Sequence, residues 1–157
     1  MDIDKNIIRE KGVKLNRTIQ GEPPRGNYSD WHKNKLGPEY IAYDIDYVEY
    51  RKGKGIVAFI CVTGRLNDEK HMNNSKLYIW HRAKIEIEIL KELSIKFNKP
   101  SFFVIHSQNL SLFHVYEVSK VPEDKVNGDK EEFKKFMQEF EYEKMNEEEY
   151  LNFIKNL

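Results

Sequence analysis

The stretch AYDIDYVEYRKGKGIVAFICVTGR, residues 42–65, decides the fold. Its first half alternates. Ala42, Asp44, Asp46, Val48 and Tyr50 share one face of an extended chain, and Ile41, Tyr43, Ile45, Tyr47 and Glu49 share the other. The segment KGKG at residues 52–55 reads as a turn, and residues 56–63 form a continuous apolar run typical of a central strand. The pair predicts a β-hairpin over residues 40–63. One strand carries two carboxylates on one face, and its apolar partner offers nothing to oppose them.

Working outward, residues 75–97 have the period of a helix, closed by the NKP at residues 98–100, and residues 101–106 and 112–118 read as two more strands. Two amphipathic helices follow, one near residues 130–140 and one capped by Asn146, with three glutamates in its first turn. Ahead of the hairpin, a short helix is expected around residues 3–11. It is followed by a loop rich in glycine and proline, NRTIQGEPPRGNYSDWHKNKLGPEY. The order of elements predicts an α+β fold, a mixed sheet with flanking helices. A chain of 157 residues fits one domain. Its core would span about residues 40–118, with a basic segment and loop at residues 1–39 and acidic helices at residues 128–157.

Basic and acidic residues balance at 26 each, which argues against binding driven by bulk positive charge, yet the two signs separate along the chain. No apolar run is long enough to span a bilayer, and the polar start MDIDKNIIREKG does not read as a signal peptide. One cysteine, Cys61, excludes an intramolecular disulfide, and a reducing cytoplasmic compartment is the expectation.

The helix of residues 75–97 carries the most informative position. Ile79, Ala83, Ile87, Leu90, Leu93 and Phe97 fall on one stripe, while Lys84, Glu88, Lys91 and Glu92 fall away from it. Glu86 lies within the stripe. An ionised carboxylate turned toward a core is costly unless paired or bound to a cation. One account pairs Glu86 with Arg82, a turn earlier. The other joins it to Asp44 and Asp46, because a helix that follows two strands packs on their sheet. Three carboxylates gathered together repel unless a cation shares them, and an oxygen-only set suits Mg²⁺ or Mn²⁺.

The hairpin YDIDYVEYRKGKGIVAFICV, the helix, and the strands KPSFFVIH and LFHVYEV together resemble the core of the restriction-endonuclease-like nucleases, the PD-(D/E)XK superfamily. The resemblance covers about residues 40–118. It implies a metal-dependent nuclease that cleaves linear double-stranded DNA with Mg²⁺, with Asp44 or Asp46 as the family aspartate. Where the family carries Glu-x-Lys, this chain has Cys61, Val62 and Thr63. Glu86 would then be a migrated acid, acting as metal ligand or as base, and Arg65 or Lys84 would replace the lysine. The same departure is compatible with an inactive relative that only binds nucleic acid or protein.

In the loop, Tyr28, Trp31 and His32 interleave with Arg25, Lys33 and Lys35, a composition that stacks on bases and neutralises phosphates, or that forms a lid over the sheet. Glu49 reads as a solvated or salt-bridged residue, His106 as structural, Gln108 as a phosphate contact, and His114 as a surface or packing residue. The chain is expected to be monomeric and to have no membrane partner.

Overall fold

A computed structural model describes residues 32, 34–36 and 43–157, with Arg65 given by its backbone alone. The chain divides into two units, Met1–Tyr43 and Asp44–Leu157. In the first, His32 and residues 34–36 are helical. The helix expected at residues 3–11 lies outside the described residues.

The second unit is a mixed α+β fold. Its strands are β1 (Tyr47–Arg51), β2 (Gly55–Leu66), β3 (Ser101–Ser107), β4 (Phe113–Glu117) and β5 (Glu143–Met145), lying side by side in that order. β2 and β3 run parallel, and every other neighbouring pair runs antiparallel. The helices are α1 (Glu69–Phe97), α2 (Glu123–Asn127), α3 (Lys130–Glu139) and α4 (Glu147–Asn156).

The hairpin turns as KGKG demands. Gly53 and Gly55 take φ of 87° and 79°, and the Lys54 amide donates to the Arg51 carbonyl at 3.0 Å. The first strand is shorter than its alternation predicts. Pairing starts at Tyr47, and Asp44 and Asp46 stand in the chain that leads into it. The cause is local: the Val62 amide, which the next rung of the ladder would use, donates instead to Asp46 Oδ2 at 2.7 Å. Parity still holds across this point. Tyr47 faces Ile60 and Val48 faces Phe59, so Asp46 falls on the Phe59 side of the sheet.

That side carries the larger core. Phe59 and Cys61 of β2, Phe103 and Ile105 of β3 and Tyr116 of β4 meet Met72, Trp80, Ala83, Ile87 and Leu90 of α1. Val126 of α2 and Phe133 and Met137 of α3 complete it. On the other side, Ala58, Ile60, Phe102, Val104, Phe113 and Val115 are backed by Tyr150, Phe153 and Ile154 of α4. Both faces of β2 and β3 are therefore covered, which is why these strands read as unbroken apolar runs. Each fully buried large side chain contributes about 1.5–3 kcal/mol.

α1 begins six residues earlier than its apolar period suggests, at Glu69, because Asp68 caps it by accepting the His71 amide at 2.8 Å. It ends as expected at Asn98, in the left-handed conformation at φ 50°. The polar face of α1 is not simply solvated. Lys84 pairs with Glu88 and donates to the Val126 carbonyl at 2.8 Å, and Lys91 donates to the Ser119 carbonyl. The two tail helices appear where the pattern places them, and Asn146 forms a full capping box with Glu149. β5 and α2 are additions. Each is very short, and its sequence shows no period of its own.

Candidate active site

The parallel crossover from β2 through α1 to β3 leaves a cavity of about 260 Å³ between helix and sheet. Thr63 of β2 and Phe103 of β3 form its sheet side, and Tyr78, Ile79, Arg82, Ala83 and Glu86 its helix side. Tyr78, Arg82 and Glu86 are spaced four residues apart, so they stand in one line along α1. Thr63 joins them because it shares the face of Phe59 and Cys61, which pack toward α1.

Glu86 is half-buried in this wall. Burial pushes its carboxyl above the usual range, the charge of Asp46 pushes it further, and Arg82 pulls it back. Cys61 sits between these influences. Burial first, and then the charges of Asp46 and Glu86, push its thiol up to about 11 against a hydrogen bond from the Asp46 backbone. A thiol held neutral in this way is neither nucleophile nor metal ligand at neutral pH.

Arg82 does not close an ion pair with Glu86 among the described residues. Its guanidinium donates to the Tyr78 hydroxyl at 2.8 Å and lies over the same ring, 5.6 Å from the centroid. The cavity thus presents a carboxyl, a guanidinium braced by a phenol, and the Thr63 hydroxyl.

The three acids singled out in the sequence are not equally placed. The charge of Asp46 acts on Glu86, whereas Asp44 is exposed in the lead-in and is not among the charges that act on it. Among the described residues, no group of three or more histidines, cysteines or acids gathers closely enough to hold a metal ion. Asp44, Asp46 and Glu86 do not form such a group. The reason is the early end of β1 pairing, which leaves Asp44 off the sheet.

Lys84, one candidate for the missing family lysine, is turned to Glu88 and Val126 and does not line the cavity. Arg65 lies in β2, and its side chain is outside the described residues. Arg25, Tyr28, Trp31 and Lys33 are also outside the described residues. His32 is half-buried and Lys35 exposed, both in helical backbone of the first unit. Glu49 accepts Arg51 at 2.7 Å on the opposite strand face, as a salt-bridged residue should. His106 rests against Gly64, with Nδ1 at 2.8 Å from the Ser107 carbonyl. His114 is a packing residue and fully buried. The only sequence signal for Tyr78 is its spacing of four residues from Arg82 and eight from Glu86.

Compared with protein-family models, curated proteins and solved structures, the chain matches none. The functional reading therefore stands on the cavity and the residues around it. Among the described residues, no helix is long and apolar enough to cross a membrane.

Proposed function

We propose that the chain is a metal-dependent nuclease that hydrolyses phosphodiester bonds of linear double-stranded DNA with little sequence preference, on a divergent restriction-endonuclease-like core. The observation that carries this reading is a half-buried Glu86 that lines a cavity with Arg82, while the Val62 amide holds Asp46 on the same side of the sheet. An antiparallel acidic hairpin, a helix and a strand parallel to the hairpin's second member are the elements such a core requires.

The donor set suits Mg²⁺ or Mn²⁺. Mg²⁺ is commonly held by one or two carboxylates, with water and substrate phosphate completing the shell, so Asp46 and Glu86 suffice without Asp44. Such an ion supplies Lewis-acid polarisation of the phosphate and an acidified water. The chain's own residues do the rest. Asp46 spends one oxygen on the Val62 amide, which fixes its direction and leaves the other oxygen for the cation. Glu86, with its proton affinity raised by burial and by Asp46, would take a proton from the water whose oxygen bonds to phosphorus, while the P–O bond to the leaving oxygen breaks and that oxygen takes a proton from solvent. Arg82, steadied by the Tyr78 hydroxyl, neutralises a non-bridging phosphate oxygen in place of the absent lysine.

The test is cleavage of linear DNA by purified protein with Mg²⁺, with EDTA and with Glu86→Ala as controls. Loss of cleavage in EDTA and in the folded Glu86→Ala variant is the expected result. Full activity of Glu86→Ala removes this site from the mechanism. A second reading, an inactive binding module on the same fold, is favoured by one observation: no three metal-ligating side chains converge among the described residues. DNA binding without cleavage across several divalent metals would establish it.

A further inference from the structure

A second, larger cavity lies at the opposite edge of the sheet from Asp46, where α3 runs out into β5. It is a groove of about 860 Å³, within the size range of binding sites. Its floor is aromatic. Phe136 and Phe140 face each other at 5.4 Å, both half-buried, and Tyr142 adds a partly exposed ring. Its wall is acidic, with Glu117, Glu139, Glu141 and Glu143 around it and Lys120 as the single basic lining residue.

The Lys120 ammonium shows what this groove attracts, and Lys76, outside the lining, contacts one of its rings. Lys120 Nζ lies 2.7 Å from Glu117, and Glu141 and Glu143 add to the field that keeps it charged. Lys76 Nζ sits 3.9 Å above the Tyr142 ring, a cation–π contact. β5 pairs with β4 only from Phe113 to Val115, and beyond that point Tyr142 stacks on the buried Tyr116 at 5.0 Å. Four carboxylates against one ammonium call for a cationic occupant, and the aromatic floor calls for an apolar side chain between the cations.

We propose that this groove is a docking site for a basic, apolar-bearing peptide segment of a partner protein. It is separate from the cavity of Glu86 and does not depend on the nuclease reading. Peptide recognition here would combine charge-steered approach with anchoring of one apolar side chain against Phe136 and Phe140.

The experiment is fluorescence anisotropy with two labelled peptides, one alternating lysine and leucine, the other lysine and serine. The lysine–leucine peptide should bind wild-type protein, more weakly as salt rises. The combined Glu139→Gln, Glu141→Gln and Glu143→Gln variant should lose about tenfold in affinity or more. These three side chains are exposed, so the variant tests binding and not folding. A control variant, Glu147→Gln with Glu148→Gln on α4, should bind as wild type does. Equal binding by the groove variant, or equal binding of the lysine–serine peptide, overturns the proposal. Sedimentation velocity separates the remaining occupant: a dimer abolished by the groove substitutions would make a second copy the partner, and overturn the assignment to another protein.

Discussion

The carboxylate of Asp46 accepts the Val62 amide at 2.7 Å, filling the rung that the backbone of residue 45 would otherwise fill. One side chain thereby ends the hairpin ladder and is held on the face of the sheet that meets α1. The structural role of Asp46 and the chemical role proposed for it separate on substitution.

Asp46→Asn keeps an acceptor for Val62 and removes the charge. It should leave the melting temperature close to wild type and abolish cleavage of linear DNA. Asp46→Ala removes both, and should cost a further ~1 kcal/mol of stability by urea titration for the lost hydrogen bond. If Asp46→Asn cleaves at the wild-type rate, Asp46 serves the fold alone.

Glu86→Gln tests the second acid in two ways. Cleavage should fall about a hundredfold or more, as for loss of a general base. Stability should rise, and the sign follows from the raised carboxyl. The folded state disfavours the ionised form, so the penalty is absent when Glu86 is protonated and grows as pH rises through its range. Thermal melts in EDTA should therefore show little difference from wild type in acid and a higher melting temperature for Glu86→Gln at neutral pH. A variant less stable than wild type at neutral pH would show that Glu86 is well paired.

His114 predicts the opposite pH trend. Its ring is fully buried, neither nitrogen has a hydrogen-bond partner among the described residues, and Tyr142 lies against it at 4.5 Å. Burial first, then Lys76 of α1 and Lys144 of β5, against Glu69 of α1, bring its pKa down to about 4. Because the folded value is depressed, its contribution to stability is present above the unfolded value and is lost as pH falls toward the folded one. The loss should be on the order of 2 kcal/mol between neutral pH and pH ~4, and His114→Leu should remove it. An unchanged acid profile in that variant would place the loss elsewhere.

Gly64 is needed for space, not for backbone freedom. A Cβ there would stand 2.5 Å from the His106 carbonyl oxygen across the β2–β3 ladder. Gly64→Ala should destabilise the protein by about 1–3 kcal/mol in urea titrations, since backbone must shift to admit it. It should also lower cleavage, because Thr63 of the cavity is its neighbour. Wild-type stability for this variant would mean that the two strands part at little cost.

Much of this architecture could be read from residues alone. The unbroken apolar run at residues 56–63 and the period of α1 are consequences of burying two faces and one face respectively, so each betrays its place. Asn146 and the glutamates after it announce α4 because capping is a local interaction. β5 escaped, since three residues paired at an edge have no period and owe their strand to β4 alone. So did the first turns of α1, where Asp68 caps a segment of polar residues.

The site divides in the same way. Glu86 stood out because a carboxyl on an apolar stripe violates a local pattern, and the shared face of Asp44 and Asp46 followed from alternation. Which acid it meets was decided only by tertiary structure. A ladder that ends at Asp46 leaves Asp44 off the sheet, and that end is set by a side chain reaching across to Val62. The partner of Arg82 was settled the same way, since two groups lie one helical turn from it and only packing chose Tyr78 over Glu86. The sequence by itself determined the strands, the helices and the anomalous acid, because each rests on spacing along the chain. The tertiary structure decided which charges face one another, because that depends on where strands stop and how a helix is rolled against them.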